Sequence, residues 1–279
     1  MSTPTRSDKS PAKALRATKP NAGLREEYQK RLEDLIVRME KDVRTTICEA
    51  YKRHPPLMAM DAGKPLPSNR LLPVLSNLRK KWEKTFEDTA EVMADWFVKK
   101  IRSAVTRSQR ASMQAAGLSA FMVRYDKGRI TEDAFKAIIH ENANLIKSIG
   151  SNYLSDVEGC VTRAVTAGRD LKGLTVDLES RYQITKRRAA FIARDQATKA
   201  TENIARANDM NAGVEEGVWI HVPGRLSSRK THKEMHGKTF KLSEGIYDST
   251  VGRYVLPGSE PGCNCTYRPL FRTDIWSKK

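Results

Sequence analysis

Nowhere in the 279 residues do ~20 predominantly apolar residues follow one another, the length a membrane-spanning helix needs. No membrane partner is expected. Residues 1–19 are rich in Ser, Thr, Pro and Lys and have no apolar centre, which argues against a secretory signal and for folding in a reducing cytoplasm. Cysteine is scarce. Four in the whole chain do not make a disulfide framework, and Cys48 and Cys160, each at helical spacing, read as small core residues. The sequence also has no internal repeat of 20 to 50 residues, no nucleotide-binding Gly-rich loop and no sustained heptad pattern. Apolar residues make up only 39% and charged residues 30%, so elongated helices with much solvated surface are expected rather than a single ball.

Positive charge is abundant. Fifty Lys and Arg against 33 Asp and Glu give a formal charge of +17, and the pI is near 9.8. Such a balance suits an anionic partner, usually nucleic acid. The plainer reading is charge that keeps the protein soluble or complements an acidic assembly. Up to Arg25 there are six basic residues and one acid, Asp8, with Pro4, Pro11 and Pro20 interrupting any helix. Residues 1–22 therefore read as a disordered basic arm.

Helical spacing then dominates. Leu24, Tyr28, Leu32, Leu35, Met39, Val43, Ile47 and Tyr51 predict a first helix over 24–53, ended by His54-Pro55-Pro56. The Pro/Gly-rich stretch 54–69 reads as a hinge. A long helix follows to about Ala116, too long for one globular core and so expected in a stalk or helical hairpin. Helices are predicted at 131–149 and 151–167, with stops at Gly150 and Gly168, then at 171–181 and 185–211. After Gly217 the pattern changes to short alternating runs, 219–222, 239–242, 254–256 and 264–271, with a short helix at 229–236. The fold class is α+β: long helices in the N-terminal two-thirds and a small C-terminal α+β module.

That module holds three of the five His and two of the four Cys. His232 and His236, four apart, share a face if helical, and Cys263 and Cys265, two apart, share a face if extended. Together they make a complete tetrahedral zinc set, although structural zinc sites normally separate paired Cys by two to four residues. The alternative leaves uncoordinated thiols packing as small apolar groups. A hydrolytic site among His232, Glu234, His236, Asp248 and Glu260 lacks the His-Glu-x-x-His order, since Lys233 follows His232. No catalytic residue is assigned. Arg187, Arg188, Arg194, Arg229, Lys230, Lys233 and Lys238 are candidates for phosphate contact, or form an ordinary solvated face.

Four segments taken in order carry a family resemblance: Arg187-Arg-Ala-Ala-Phe-Ile-Ala-Arg-Asp-Gln-Ala-Thr-Lys-Ala, the Trp219 strand, Arg229-x-x-His232-x-x-Met-His236-Gly-Lys, and Pro257-Gly through Gly262-Cys-Asn-Cys265. Over roughly residues 150–271 the chain resembles the phage Mu protein F-like family of minor head, or head morphogenesis, proteins. The resemblance implies a structural protein of a tailed-phage head, present in few copies, placed in the virion inside the capsid near the portal. Its implied partners are the portal protein, the major capsid protein and packaged double-stranded DNA bound without sequence preference. Composition and spacing, with the resemblance for the C-terminal part, divide the chain into the arm 1–22, an extended helical arm 23–130 hinged at 54–69, the helical part of the head-morphogenesis domain at 131–217, and the α+β module 218–279. Some relatives carry appended toxin domains; after Phe271 none is expected here. Two rival readings stay open: a nucleic-acid-processing or toxin-like enzyme using the His/Cys cluster, and a free, non-specific DNA-binding protein.

Overall fold

A computed structural model of the protein describes residues 12–53, 67–118, 129–167, 171–223 and 228–272. Its elements are β1 (Lys13–Ala14), α1 (Ala22–Arg53), α2 (Pro67–Ala115), α3 (Arg129–Thr166), α4 (Leu171–Asn211), β2 (Glu216–Ile220), α5 (Lys230–Glu234), β3 (Thr239–Lys241), β4 (Ile246–Asp248), β5 (Arg253–Val255) and β6 (Thr266–Phe271). The α+β class holds, with four long helices followed by a small strand-rich module. Among the described residues no helix is long and apolar enough to cross a membrane.

Two expected helix breaks do not occur. Gly150 lies inside α3, and a β-carbon there would sit 2.5 Å from the Phe86 ring. The glycine admits close packing of α2 on α3 rather than ending a helix. Residues 182–184 continue α4 because none of them is a breaker and side chains span the join. Gln183 donates to Glu179 at 2.8 Å, and the Thr185 hydroxyl to the Arg181 carbonyl at 2.9 Å. The stop at Gly168 and most of the hinge, 54–66, fall outside the described residues; 67–69 are already helical.

The basic arm also needs correcting for the residues described, 12–22. Lys13 and Ala14 pair with Phe271 and Leu270, and the Leu15 N–H donates to the Pro269 carbonyl at 2.9 Å. Composition pointed to disorder, but Leu15 and Thr18 are buried and the edge of β6 presents free backbone groups that a short strand can satisfy. The Lys13 ammonium donates to the Ala116 carbonyl.

The chain forms two compact units that cut across the segments suggested by sequence. One comprises Met1–Ala22, Val98–Ile138 and Asp195–Lys279; the other comprises Gly23–Phe97 and Ile139–Arg194. Each of α2, α3 and α4 gives residues to both, so the expected boundaries at 130/131 and 217/218 are not those of the units.

The second unit is helical. Tyr28 of α1 stacks on Phe97 of α2, with centroids 4.0 Å apart, and its hydroxyl donates to Asn142 of α3 at 3.2 Å. Trp82 donates its indole N–H to Asp42 at 2.7 Å, and Arg79 pairs with Glu158 at 2.7 Å. The first unit carries the antiparallel sheet, ordered β1-β6-β2-β3, and the separate hairpin β4–β5. Its core gathers Leu15, Met113, Trp219, Met235, Phe240, Leu242, Tyr267 and Phe271. A buried polar network ties the sheet to the helices. The Tyr267 hydroxyl donates to Asp209 at 2.6 Å, Gln109 donates to Asp209 at 3.0 Å, and Asn208 donates to Gln109 at 2.8 Å. Each member satisfies another, which is what makes such a network tolerable in a core.

Gly150→Val is expected to lower stability by about 1–3 kcal/mol, the cost of forcing extra volume against a fixed ring. Urea unfolding measures it. An unchanged midpoint would mean that the Phe86 ring moves aside freely.

Candidate metal centre

The site is assembled on α4. Asp195, Thr198 and Glu202 recur at helical spacing on one buried face. The helix then ends at Gly213, whose φ of +84° closes the chain: the Val214 N–H returns to the Asp209 carbonyl and the Gly213 N–H to that of Met210, at 2.9 and 3.0 Å. Val214 enters the core and leads into β2. Alternation along β2 buries Trp219, and His221, two residues on, follows the same parity.

The loop 257–265 lies on that face of α4. Gly258, with φ +75°, has no room for a side chain because a β-carbon would meet Glu202 Cγ at 2.7 Å. The Gly262 N–H donates to Asp195 Oδ1 at 2.6 Å, and the Cys263 N–H to the Glu260 carbonyl at 2.9 Å. Arg229 reaches across to the Pro261 carbonyl at 3.0 Å, fixing the start of α5 against this loop. Glu202 is 3% exposed beneath the loop, and burial holds its carboxyl well above the usual range.

This scaffold brings His232, Cys263 and Cys265 together, all buried. The Cys263 sulfur is 3.3 Å from His232 Nδ1, and the Cys265 sulfur 3.7 Å from the same nitrogen. His221 Nδ1 lies 3.5 Å from the Cys265 sulfur. On the far side of the imidazole, His232 Nε2 is 3.2 Å from Asp248 Oδ2. Asp248 is itself positioned by the β4–β5 turn, where Oδ1 accepts the Thr250 N–H at 2.9 Å. Trp219 presents its ring edge-on to His232, with centroids 5.4 Å apart. A cavity of about 20 Å³ is lined by His221, His232, Cys263 and Cys265 with their neighbours.

The two thiols divide their protons unequally. The adjacent Cys265 sulfur, then burial, pushes the Cys263 thiol up to about 12. Cys265 is lowered to about 7, chiefly because Cys263 donates to it, with burial opposing. The Trp219 indole N–H also favours the Cys265 thiolate. Hydrogen bonding to Cys263 raises the pKa of His232, and burial works the other way. Both thiols are free of disulfides. The arrangement concentrates soft donors and a nitrogen lone pair around one small space.

Three of the four metal candidates from the sequence are thus brought together, and His236 is not. Its helix is too short. The α5 helix stops at Glu234, Gly237 turns the chain at φ +81°, and His236 is exposed with Nδ1 accepting the His221 N–H at 3.0 Å. The i,i+4 argument required a helix reaching 236. His221, which approaches the Cys265 sulfur, was not among the sequence candidates, although its parity with Trp219 was the available signal. Asp195 had no sequence signal because its partner is 67 residues away. Of the phosphate-contact candidates, Arg187, Arg188, Lys230, Lys233 and Lys238 are exposed, and Arg188 also donates to Ser148 at 3.3 Å. Arg229 is half-buried in the contact already described. Arg187, Arg188 and Arg194 fall in the helical unit and the other four in the unit that carries the sheet.

Fold and site therefore define an α+β protein whose C-terminal module closes over a buried His/Cys cluster. Residues 155–268 match the family model described as Phage Mu protein F like protein, so the four ordered motifs mark a Phage Mu F-like segment. An uncharacterized protein of Haemophilus influenzae is 28% identical over 201 residues, covering 70% of this chain and 43% of that protein. The chain thus spans less than half the length of this relative. No solved structure matches the chain.

Asp195→Ala is expected to cost about 1.5–3 kcal/mol by removing the charged acceptor of the Gly262 N–H, with Asp195→Asn costing less. Urea unfolding and amide exchange across 258–265 measure the effect. Equal stability of the two variants would deny the carboxylate this role.

Proposed function

We propose that the protein is a structural minor component of a tailed-phage head, placed at the portal vertex and acting in head assembly or genome delivery. The observation that carries this reading is the Phage Mu F-like match over residues 155–268. The architecture agrees with it. The matched segment includes all of α4, β2, β3, the β4–β5 hairpin and the loop 257–265, with the first residues of β6. The portal protein and major capsid protein are the proposed protein partners.

Packaged DNA is the proposed anionic neighbour. A formal charge of +17 and the exposure of Arg187, Arg188, Lys230, Lys233 and Lys238 support contact with phosphates. Such contact would be salt-sensitive and indifferent to sequence, because counterion release rather than base reading drives it.

One specific observation bears on the enzyme alternative. Cys263, His232 and Asp248 stand in the order of a thiol-imidazole-carboxylate triad, at 3.3 and 3.2 Å. A reacting thiol must meet its substrate, however. Cys263 is 5% exposed, and the adjoining cavity of about 20 Å³ admits little more than one small particle. The non-enzymatic reading is therefore preferred.

Heads purified from cells producing the phage that encodes this chain are expected to contain the protein at far lower copy number than the major capsid protein. The portal protein should co-purify after mild disruption. Quantitative mass spectrometry measures both. Recovery in the cytosol alone, with none in heads, would refute the proposal.

A further inference from the structure

The cluster described above is more specific than a group of buried thiols. Bond lengths of about 2.3 Å to sulfur and 2.0–2.1 Å to nitrogen in a tetrahedral zinc site place neighbouring sulfur and nitrogen ligand atoms about 3.5 Å apart. His232 Nδ1 lies 3.3 and 3.7 Å from the Cys263 and Cys265 sulfurs, and His221 Nδ1 lies 3.5 Å from the Cys265 sulfur. These atoms come from the end of β2, from α5 and from the loop before β6, so no local turn forces that spacing.

We propose that His232, Cys263 and Cys265, whose donor atoms all lie within 4.8 Å of one another, bind one structural Zn²⁺ that locks the C-terminal module, with His221, 3.5 Å from the Cys265 sulfur, turning in as the fourth ligand. Two thiolates and two imidazoles in tetrahedral array select zinc among common divalent ions. His232 would ligate through Nδ1, with Asp248 Oδ2 3.2 Å from its Nε2, the side on which a carboxylate commonly stands behind a zinc-bound His. The cavity suits a single ion. Binding replaces the thiol protons of Cys263 and Cys265, which are released to solvent, leaving two Zn–S bonds. His236 lies outside the set and serves instead by accepting the His221 N–H.

The single intervening residue between Cys263 and Cys265 is accommodated by the loop. The Cys265 N–H points back to the Cys263 sulfur at 3.4 Å, so the two sulfurs face the same space while Asn264 between them is exposed. The metal would join three segments that otherwise contribute only short strands and a five-residue helix. Its role is to hold the module closed, and no reaction is assigned to it.

The full chain, purified under reducing conditions without chelator, is expected to carry about one equivalent of zinc by elemental analysis. After chelation, Co²⁺ should restore thiolate-to-metal charge transfer and the intense visible bands of a tetrahedral site, with release of protons. Cys263→Ser and Cys265→Ser should each abolish the charge-transfer signature or reduce it by half. His221→Ala and Asp248→Asn should weaken retention by about 10–100-fold against a competing chelator, while His236→Ala retains full stoichiometry. If the Cys variants do not fold, the wild-type cobalt spectrum and the contrast of His221→Ala with His236→Ala still decide. Absence of zinc together with absence of cobalt bands in the wild type would overturn the proposal. Loss of metal in His236→Ala with retention in His221→Ala would overturn the ligand set. Neither readout depends on incorporation into heads.

Discussion

The C-terminal module is arranged around one buried imidazole. His232 is 2% exposed, and its ring meets a different segment on each side: the Trp219 edge from β2, the two sulfurs from the loop 257–265, and the Asp248 carboxylate from the β4–β5 hairpin. A polar ring in such a position is costly unless its nitrogens are engaged. That requirement constrains every segment that touches it. The β4–β5 turn must present Asp248, β2 must carry Trp219 inward, and the loop must return both cysteines to the same side.

The helices answer a second constraint, which is to hold that loop. With strands of two to six residues the module has little sheet of its own, and α4 supplies the missing support. Asp195 fastens the Gly262 N–H, and Glu202 lies under the one conformation that Gly258 can adopt there. Below them, Tyr267, Asp209, Gln109 and Asn208 join β6 to α4 and α2 through a chain of satisfied hydrogen bonds. The motifs of the Phage Mu F-like segment are therefore coupled physically. The α4 stretch grips the PG…PGCNC loop, that loop packs on the Arg229–His232 segment, and this segment packs on Trp219.

The sulfurs are shielded from solvent, and the space beside them is ion-sized. Most of the phosphate-contact candidates, in contrast, are solvated. The buried cluster is the basis of the proposed metal site, and the exposed charge of the proposed contact with DNA.

Much was legible locally. Apolar spacing located α1 and α2 to within a few residues, and the change to short alternating runs located the module, because 3.6-residue and two-residue periodicities are properties of the chain itself. What failed was whatever depended on a distant partner. Gly150 looked like a stop until Phe86 was found against it, and residues 12–18 looked disordered until β6 offered them an edge. His236 looked like a ligand until α5 proved to end at Glu234. Residue types determined that a His/Cys cluster was available. Only the tertiary structure decided that His221 rather than His236 approaches it, because metal-type geometry depends on distances between segments that sequence order leaves free.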